Sequence, residues 1–287
     1  MKRKTFFLFS SPSNLAMGIL MVFPLAMAVY LSFNFVTFLN INDPNFVGLK
    51  NYGYILTDPK FWEAFRYSLL IIVVTVPTQI VLGFILALLL DQVTRGLRGI
   101  FLALMLLPFI VVPVVGTLMF KQMFEIGGLY SYLYKVIVGK PFIFNAQSVR
   151  SLIIFHLIWH ATPYPLVVFF AGLQTLPTEH LEAAEVDGAG RFQQIFRVVI
   201  PHLRPLLIMT SMILIMDMYR MFDSVFVISE QNPAYHAENL MMYNFRIGMG
   251  VQRLGRANTT AVLTVLGVLV VLIPFLRQTY RQQMGKE

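Results

Sequence analysis

Three ionisable residues stand at steps of three inside an apolar stretch of the 287-residue chain: Asp217, Arg220 and Asp223. Steps of three put helical neighbours on one face, so Arg220 can pair with either carboxylate. A lone charge at a bilayer centre costs about 2.5–3.5 kcal/mol on insertion scales, so such a triad is expected to face a bundle interior or water. Two roles fit: a polar wall that hydrogen-bonds hydroxyls, with Tyr219 beside it, or an ion network that fixes helix packing. Upstream, His156, His160 and Tyr164 fall at i, i+4 and i+8, with Trp159 adjacent. The Trp159 and Tyr164 rings can stack on a sugar ring while His160 supplies a hydrogen bond; interfacial anchoring or packing is the commoner role. A His pair at i, i+4 also suits a metal, but His156-Leu-Ile-Trp-His160 lacks the glutamate of the zinc-protease pattern. Met216, Met218 and Met221 suit gap filling better than metal binding. With no Cys in the chain, thiolate sites, disulfides and cysteine nucleophiles are excluded. No metal site and no catalytic residue is expected.

The elements that carry these residues are set by composition. The chain is 57% hydrophobic and 13% charged, against about 25% charged in soluble domains, and mean hydropathy is +0.70. The net charge of +8 does not point to nucleic acid, because the longest basic run is Lys2-Arg3-Lys4 and the basic residues flank apolar segments. A helix needs about 20 apolar residues to cross the hydrocarbon core. Six segments qualify: 15–36, 67–90, 99–120, 151–173, 206–229 and 259–276. The sequence therefore predicts an all-α integral membrane protein, a single domain over 1–287. The basic start and Ala26-Met27-Ala28 resemble a secretory signal, but the apolar run continues to Phe38, beyond a signal core of about 7–15 residues. An uncleaved first span is expected. Six spans place both termini on one side. Lys2, Arg3, Lys4, Arg95, Arg98, Arg191, Arg197, Arg204, Arg277, Arg281 and Lys286 then lie on the N-terminal side in tails and short turns, a density that favours a cytoplasmic N-terminus.

Between the fourth and fifth segments lies a polar stretch, 177–205. It holds Glu179, Glu182, Glu185 and Asp187, four of the 14 acidic residues. Thr178 suits a helix N-cap, with Glu179 and Glu182 in the first turn. Gly188 and Gly190 can stop that helix. A second short helix is predicted, with Phe192, Ile195, Phe196 and Val199 on one face, before Pro201 and Pro205. Helix, glycine turn, helix makes a knob that can seat in a partner's groove. An amphipathic helix on the membrane surface fits the same pattern.

The stretch resembles the cytoplasmic coupling loop of binding-protein-dependent ABC importer permeases. That family shows Glu-Ala-Ala, then Gly, then an apolar run ending in Pro. Glu182-Ala183-Ala184, Asp187-Gly188-Ala189 and Val198-Val199-Ile200-Pro201 match it. Similarity to the carbohydrate-uptake branch extends over nearly the whole chain, through 46–52 (Phe-Val-Gly-Leu-Lys-Asn-Tyr), Leu106-Leu107-Pro108, Trp159–Tyr164, Ala171–Pro177 and Phe222-Asp223. The chain departs from the family after Ser229, where Ser229–Pro233 keeps only the Pro. The resemblance implies a six-span type I permease fold with a coupling helix between spans four and five. It assigns ATPase contact to Glu182, Ala183, Ala184, Asp187, Gly188, Ala189, Phe192, Phe196 and Pro201. It implies a bacterial-type inner membrane with both termini cytoplasmic, a homologous second permease, two ATPase subunits that use ATP and Mg, and an external solute-binding protein. The chain itself has no Gly-x-x-x-x-Gly-Lys-Ser/Thr phosphate loop and is expected to bind no cofactor and catalyse no reaction. The candidate solute path is Trp159, His160, Tyr164, Tyr219, Arg220 and Asp223. Two other classes remain open on the residues alone. One is a secondary transporter or channel with Asp217, Arg220 and Asp223 as ion path. The other is an intramembrane enzyme using His156, His160 or an Asp.

Overall fold

A computed structural model describes residues 3–140 and 142–283; Lys2 and Lys286, counted above among the N-terminal-side charges, lie outside them. The chain is helical, in order α1 (Arg3–Ser32), α2 (Lys50–Thr57), α3 (Pro59–Gln92), α4 (Arg95–Ile110), α5 (Pro113–Phe124), α6 (Leu129–Val138), α7 (Ala146–Ala161), α8 (Pro163–Leu173), α9 (Thr178–Val186), α10 (Arg191–Gln194), α11 (Ile200–Tyr219), α12 (Asp223–Ser229), α13 (Leu240–Phe245) and α14 (Leu254–Gln283). Strands β1 (Asn34–Phe35) and β2 (Asn45–Phe46) pair antiparallel, with Asn34 opposite Phe46. Among the described residues five helical stretches are long and apolar enough to cross a membrane. They are Ser11–Ser32, Pro59–Gln92, Ala146–Leu173, Arg191–Tyr219 and Leu254–Arg277. A sixth is counted if the bent pair Arg95–Ile110 and Pro113–Val138 is one span.

Three spans differ from expectation, each for a local reason. The first helix ends at Ser32 rather than Val36, and the chain turns into β1. The third span breaks at Val111-Val112 and turns by 94°. Pro113 disfavours the helical region for the residue before it, and Val111 and Val112 are extended, with ψ of 135° and 126°. The fifth span breaks between Tyr219 and Asp223. Arg220 leaves the helix at φ −94°, ψ 6°, and the side-chain amide of Asn239 donates to the freed Met221 carbonyl. The span also begins earlier than predicted. Helix α10 runs without a stop through a π-helical turn, Ile195–Val199, into α11. Pro201 has no N–H to return to the preceding turn and its ring crowds it. The wider turn relieves that, with the Ile200 N–H bonded to the Ile195 carbonyl.

The chain divides into two compact units. One takes in the chain as far as Glu63 together with Leu240–Val270. Its core answers the question left by the end of α1, whose last carbonyls lack helical partners. The buried Asn51 amide donates to both Ser32 O and Asn34 O at 2.9 Å, and Thr259 Oγ1 donates to Ser32 O at 3.1 Å. Gly255 lets α14 pass directly over this turn, since a Cβ there would run into the Asn34 carbonyl. Tyr243 donates to Asp58 at 2.7 Å, and burial, then that carboxylate, push its phenol well above the ordinary tyrosine range.

The other unit takes in Ala64–Asn239 and the chain from Val271 on. Lipid gives helices no hydrophobic reason to associate, so close van der Waals approach and a few interhelical hydrogen bonds must hold them. Gly83 of α3 supplies one approach: a Cβ would lie 2.9 Å from the Leu166 amide nitrogen of α8. Gln79, fully buried, donates to the Leu157 carbonyl of α7 at 3.0 Å and lies 3.8 Å from Met218 Sδ of α11. One side chain thus joins three helices.

Candidate coupling knob and polar path

The polar stretch folds into a knob whose shape follows from one glycine. Helix α9 ends at Val186, and Gly188 takes the left-handed conformation, φ +78°. The Gly188 N–H bonds Glu185 O at 2.9 Å and the Ala189 N–H bonds Ala184 O at 2.8 Å. This pairing of a five-residue with a three-residue return is the Schellman end of a helix, which satisfies otherwise orphaned carbonyls. Ala184 is thus a structural acceptor in the Glu-Ala-Ala pattern. After the turn, Gln193 accepts from the Gly190 N–H at 3.2 Å and Gln194 donates to Ala189 O at 3.2 Å. Two details depart from expectation. Pro177, not Thr178, is the N-cap, because Pro177 already has extended ψ (132°) and Thr178 is helical. Gly190 does not stop a helix; it is the N-cap of α10.

The predicted apolar face of the knob is divided. Val199 is buried and Ile195 half-buried, whereas Phe192 and Phe196 are 79% and 65% exposed. The π turn shifts the helical phase after Gln194, so a face drawn at 3.6 residues per turn does not survive it. Val186, at 87% exposure, adds a third uncovered apolar side chain. Glu182, Ala183, Asp187, Gly188 and Pro201 are exposed, and Ala184 and Ala189 half-buried.

At the root of the knob lies a cluster that sequence reasoning missed. Gln174 caps α8, and its amide donates to Asp91 Oδ1 near the end of α3 at 2.8 Å. Arg98 of α4 approaches Asp91 at 3.5 Å, donates to Val93 O at 2.9 Å and sits 5.7 Å over the Phe170 ring. Its only sequence signal was Gln174 within Ala171–Pro177 and Arg98 as a flanking charge. Nearby, Thr175 and His202 share a hydrogen bond of 3.1 Å.

The candidate path residues separate. Phe109 brings two of them together: its ring lies 6.1 Å from His160 and stacks on Tyr164 at 6.3 Å. Trp159 stacks on Phe120 at 5.8 Å and lines an apolar cavity of about 370 Å³ with Leu82, Leu104, Met105 and Thr162. Thr162 separates α7 from α8 but keeps helical angles, φ −57° and ψ −32°, so the i, i+4, i+8 row passes through it, with His156 stacked on His160 at 5.7 Å. His156 is buried against Phe120, ring centroids 4.8 Å apart. Tyr219 is wholly buried. Arg220 pairs with Asp217 at 2.7 Å, its side chain 74% exposed. The expected three-residue face does not form, because the helix break puts Asp223 at the start of α12. There its carboxylate complements the helix dipole, and among the described residues no ion pair joins it to Arg220.

Comparison with known proteins extends the sequence resemblance. The model of the binding-protein-dependent transport system inner membrane component family matches residues 79–282. A probable ABC transporter permease, y4oQ of Sinorhizobium fredii, is 30% identical over 242 residues, 84% of this chain and 78% of that protein. The trehalose transport system permease SugA of Mycobacterium tuberculosis is 27% identical over 87% of this chain and 82% of its own length. In fold, the chain is similar to a subunit of a bacterial ABC transporter involved in import of the acidic polysaccharide alginate. The TM-score is 0.83 at 18% identity, over 97% of this chain and 96% of that one. A family match over residues 79–282, with a relative 30% identical over 84% of this chain, places this protein in the binding-protein-dependent ABC transporter permease family of inner membrane components.

Proposed function

We propose that the chain is the permease subunit of an ATP-driven importer for a sugar, polyol or related hydroxylated solute, coupled to a separate ATPase through 178–197. The carrying observation is the knob: Val186, Phe192 and Phe196 are exposed on a polar surface whose backbone is fixed by the Gly188 turn. Exposed aromatics on a rigid, otherwise polar element suit a partner's groove. Glu182, Ala183, Ala184, Asp187, Gly188, Ala189 and Pro201 build that element, and Phe192 and Phe196 enter the groove. The knob and both termini are cytoplasmic. The partners are a homologous second permease, two ATPase subunits that use ATP and Mg, and an external solute-binding protein. This chain holds no nucleotide. Trp159, His160, Tyr164, Arg220 and Asp223 contribute to the solute path, and the trehalose permease among its relatives supports a hydroxylated solute.

Reconstitution tests this reading. Proteoliposomes holding the chain with its ATPase, second permease and binding protein should take up solute only with ATP, and Glu182→Lys should abolish uptake while solute capture by the binding protein persists. Solute movement down an ion gradient by this chain alone would instead make it a secondary transporter.

A further inference from the structure

We propose that α6 is an amphipathic anchor lying in the headgroup region of the membrane, with a preference for anionic lipid. Leu129, Tyr132, Leu133, Val136 and Ile137 fall at i, i+3, i+4, i+7 and i+8, one stripe of the helix. All five are between 42% and 81% exposed. The protein touches other positions of the helix: Ser131 is buried, and Tyr130 and Tyr134, themselves 42% and 41% exposed, stack on Phe124 at 4.9 Å and meet Phe142 edge-on at 5.6 Å. Those contacts set the roll of the helix on the side away from the centre of the stripe.

Depth, composition and charge name the occupant. Phe142 contacts Phe124, Tyr134 and Phe144 at 5.5–5.6 Å, three residues before Asn145, the capping residue of α7. The apolar span Ala146–Leu173 starts there. At 28 residues, about 42 Å, that helix is longer than the hydrocarbon core of about 30 Å, so its polar first turns, and α6 beside them, lie at headgroup level. Its 10 residues reach only about 15 Å, too short to cross alone, and residues 125–128 separate it from α5, so α6 is the interfacial end of the Pro113–Val138 stretch and not a part that crosses. Tyrosines, branched aliphatics and lysine are the composition of an interfacial helix. Residues 126–150 carry Lys135, Lys140 and Arg150 and no Asp or Glu. The nearest acid before them, Glu125, is paired with Lys121 at 3.3 Å. Arg150 rests over the Tyr67 ring at 4.9 Å, which leaves Lys135 and Lys140 as the positive charge beside the apolar stripe, an arrangement that matches lipid phosphates above acyl chains.

The chain has no cysteine, so single probes are clean. A bimane label is placed at Val136→Cys on the stripe, or at Val138→Cys on the opposite side of the helix, so that both lysines are kept. Each full-length variant is reconstituted, alone and in the assembled transporter, into phosphatidylcholine vesicles with or without phosphatidylglycerol. Lipids brominated near the glycerol end should quench residue 136 roughly twofold more than residue 138 in both preparations, and more so with phosphatidylglycerol. Equal quenching at both positions, with 136 open to aqueous iodide, would overturn the proposal. So would shielding from iodide that arises only on assembly and without lipid quenching, which would assign the stripe to a protein partner. Quenching indifferent to phosphatidylglycerol would overturn the anionic preference.

Discussion

Gln174 donates to the Asp91 carboxylate at 2.8 Å, tying the cap of α8 to the last turn of α3. Pro177, where the knob begins, lies three residues further on. A force on α9 therefore reaches two spans at once, and through Arg98 a third.

Gln174→Leu should separate coupling from stability. The hydrogen bond is partly exposed and contributes about 1 kcal/mol or less, so thermal unfolding and membrane abundance should barely change. ATP-driven uptake should fall by a larger factor than either. Proportional loss of abundance and uptake would assign the cluster to folding alone.

Gly188→Ala forces a β-carbon into the left-handed conformation at φ +78°, a cost of about 1–2 kcal/mol. Gly188→Pro removes in addition the N–H bonded to Glu185 O. Uptake should fall with Ala and vanish with Pro, while the purified permease keeps its helical circular-dichroism signal. Wild-type uptake by the Pro variant would exclude a coupling role for the turn.

Phe192→Ala and Phe196→Ala should leave the fold alone, because the side chains are uncovered and surface substitutions shift stability by about 0.5 kcal/mol or less. Each should weaken ATPase association by about 2 kcal/mol, some thirtyfold, if it fills a pocket on the partner. Co-purification titrated with detergent-solubilised ATPase measures this directly.

Asp217→Ala breaks an ion pair exposed on both sides, worth about 1 kcal/mol or less. Asp223→Ala removes a charge from the first turn of α12, worth about 0.3–1 kcal/mol. Both variants should reach the membrane at near-normal levels. A path role predicts that uptake falls well beyond that loss, and double-mutant analysis should show Asp217 coupled to Arg220 but Asp223 independent of it.

Asn51→Ala should destabilise the fold. It leaves the Asn34 carbonyl without its amide donor and the Ser32 carbonyl with Thr259 alone, in a buried site, at about 1–3 kcal/mol for an unsatisfied group. A lowered thermal midpoint of the purified permease, with Asn51→Asp no better than Ala because it offers no amide N–H, would confirm the assignment.

The sequence alone determined the material and the order of parts. Apolar runs of about 20 residues dictate spanning helices, because lipid leaves backbone groups no other partner. A polar, Gly-containing interval between two of them could only be a surface element. The left-handed turn at Gly188 was legible too, since only glycine adopts it at little cost. Tertiary structure decided what crosses between segments. The composition of 206–229 could not reveal that the helix stops at Tyr219, because the freed carbonyl is answered by Asn239, 18 residues away. Steps of three therefore misplace Asp223. In the sequence Asn51 and Gln174 stand only as parts of motifs, since a hydrogen-bond partner 17 or 83 residues distant leaves no periodic trace. The exposure of Phe192 and Phe196 came from a π turn that breaks the helical period used to read them. Periodicity records which side of an element is apolar; where the element ends, and what then meets its unpaired groups, is settled only when distant segments are packed together.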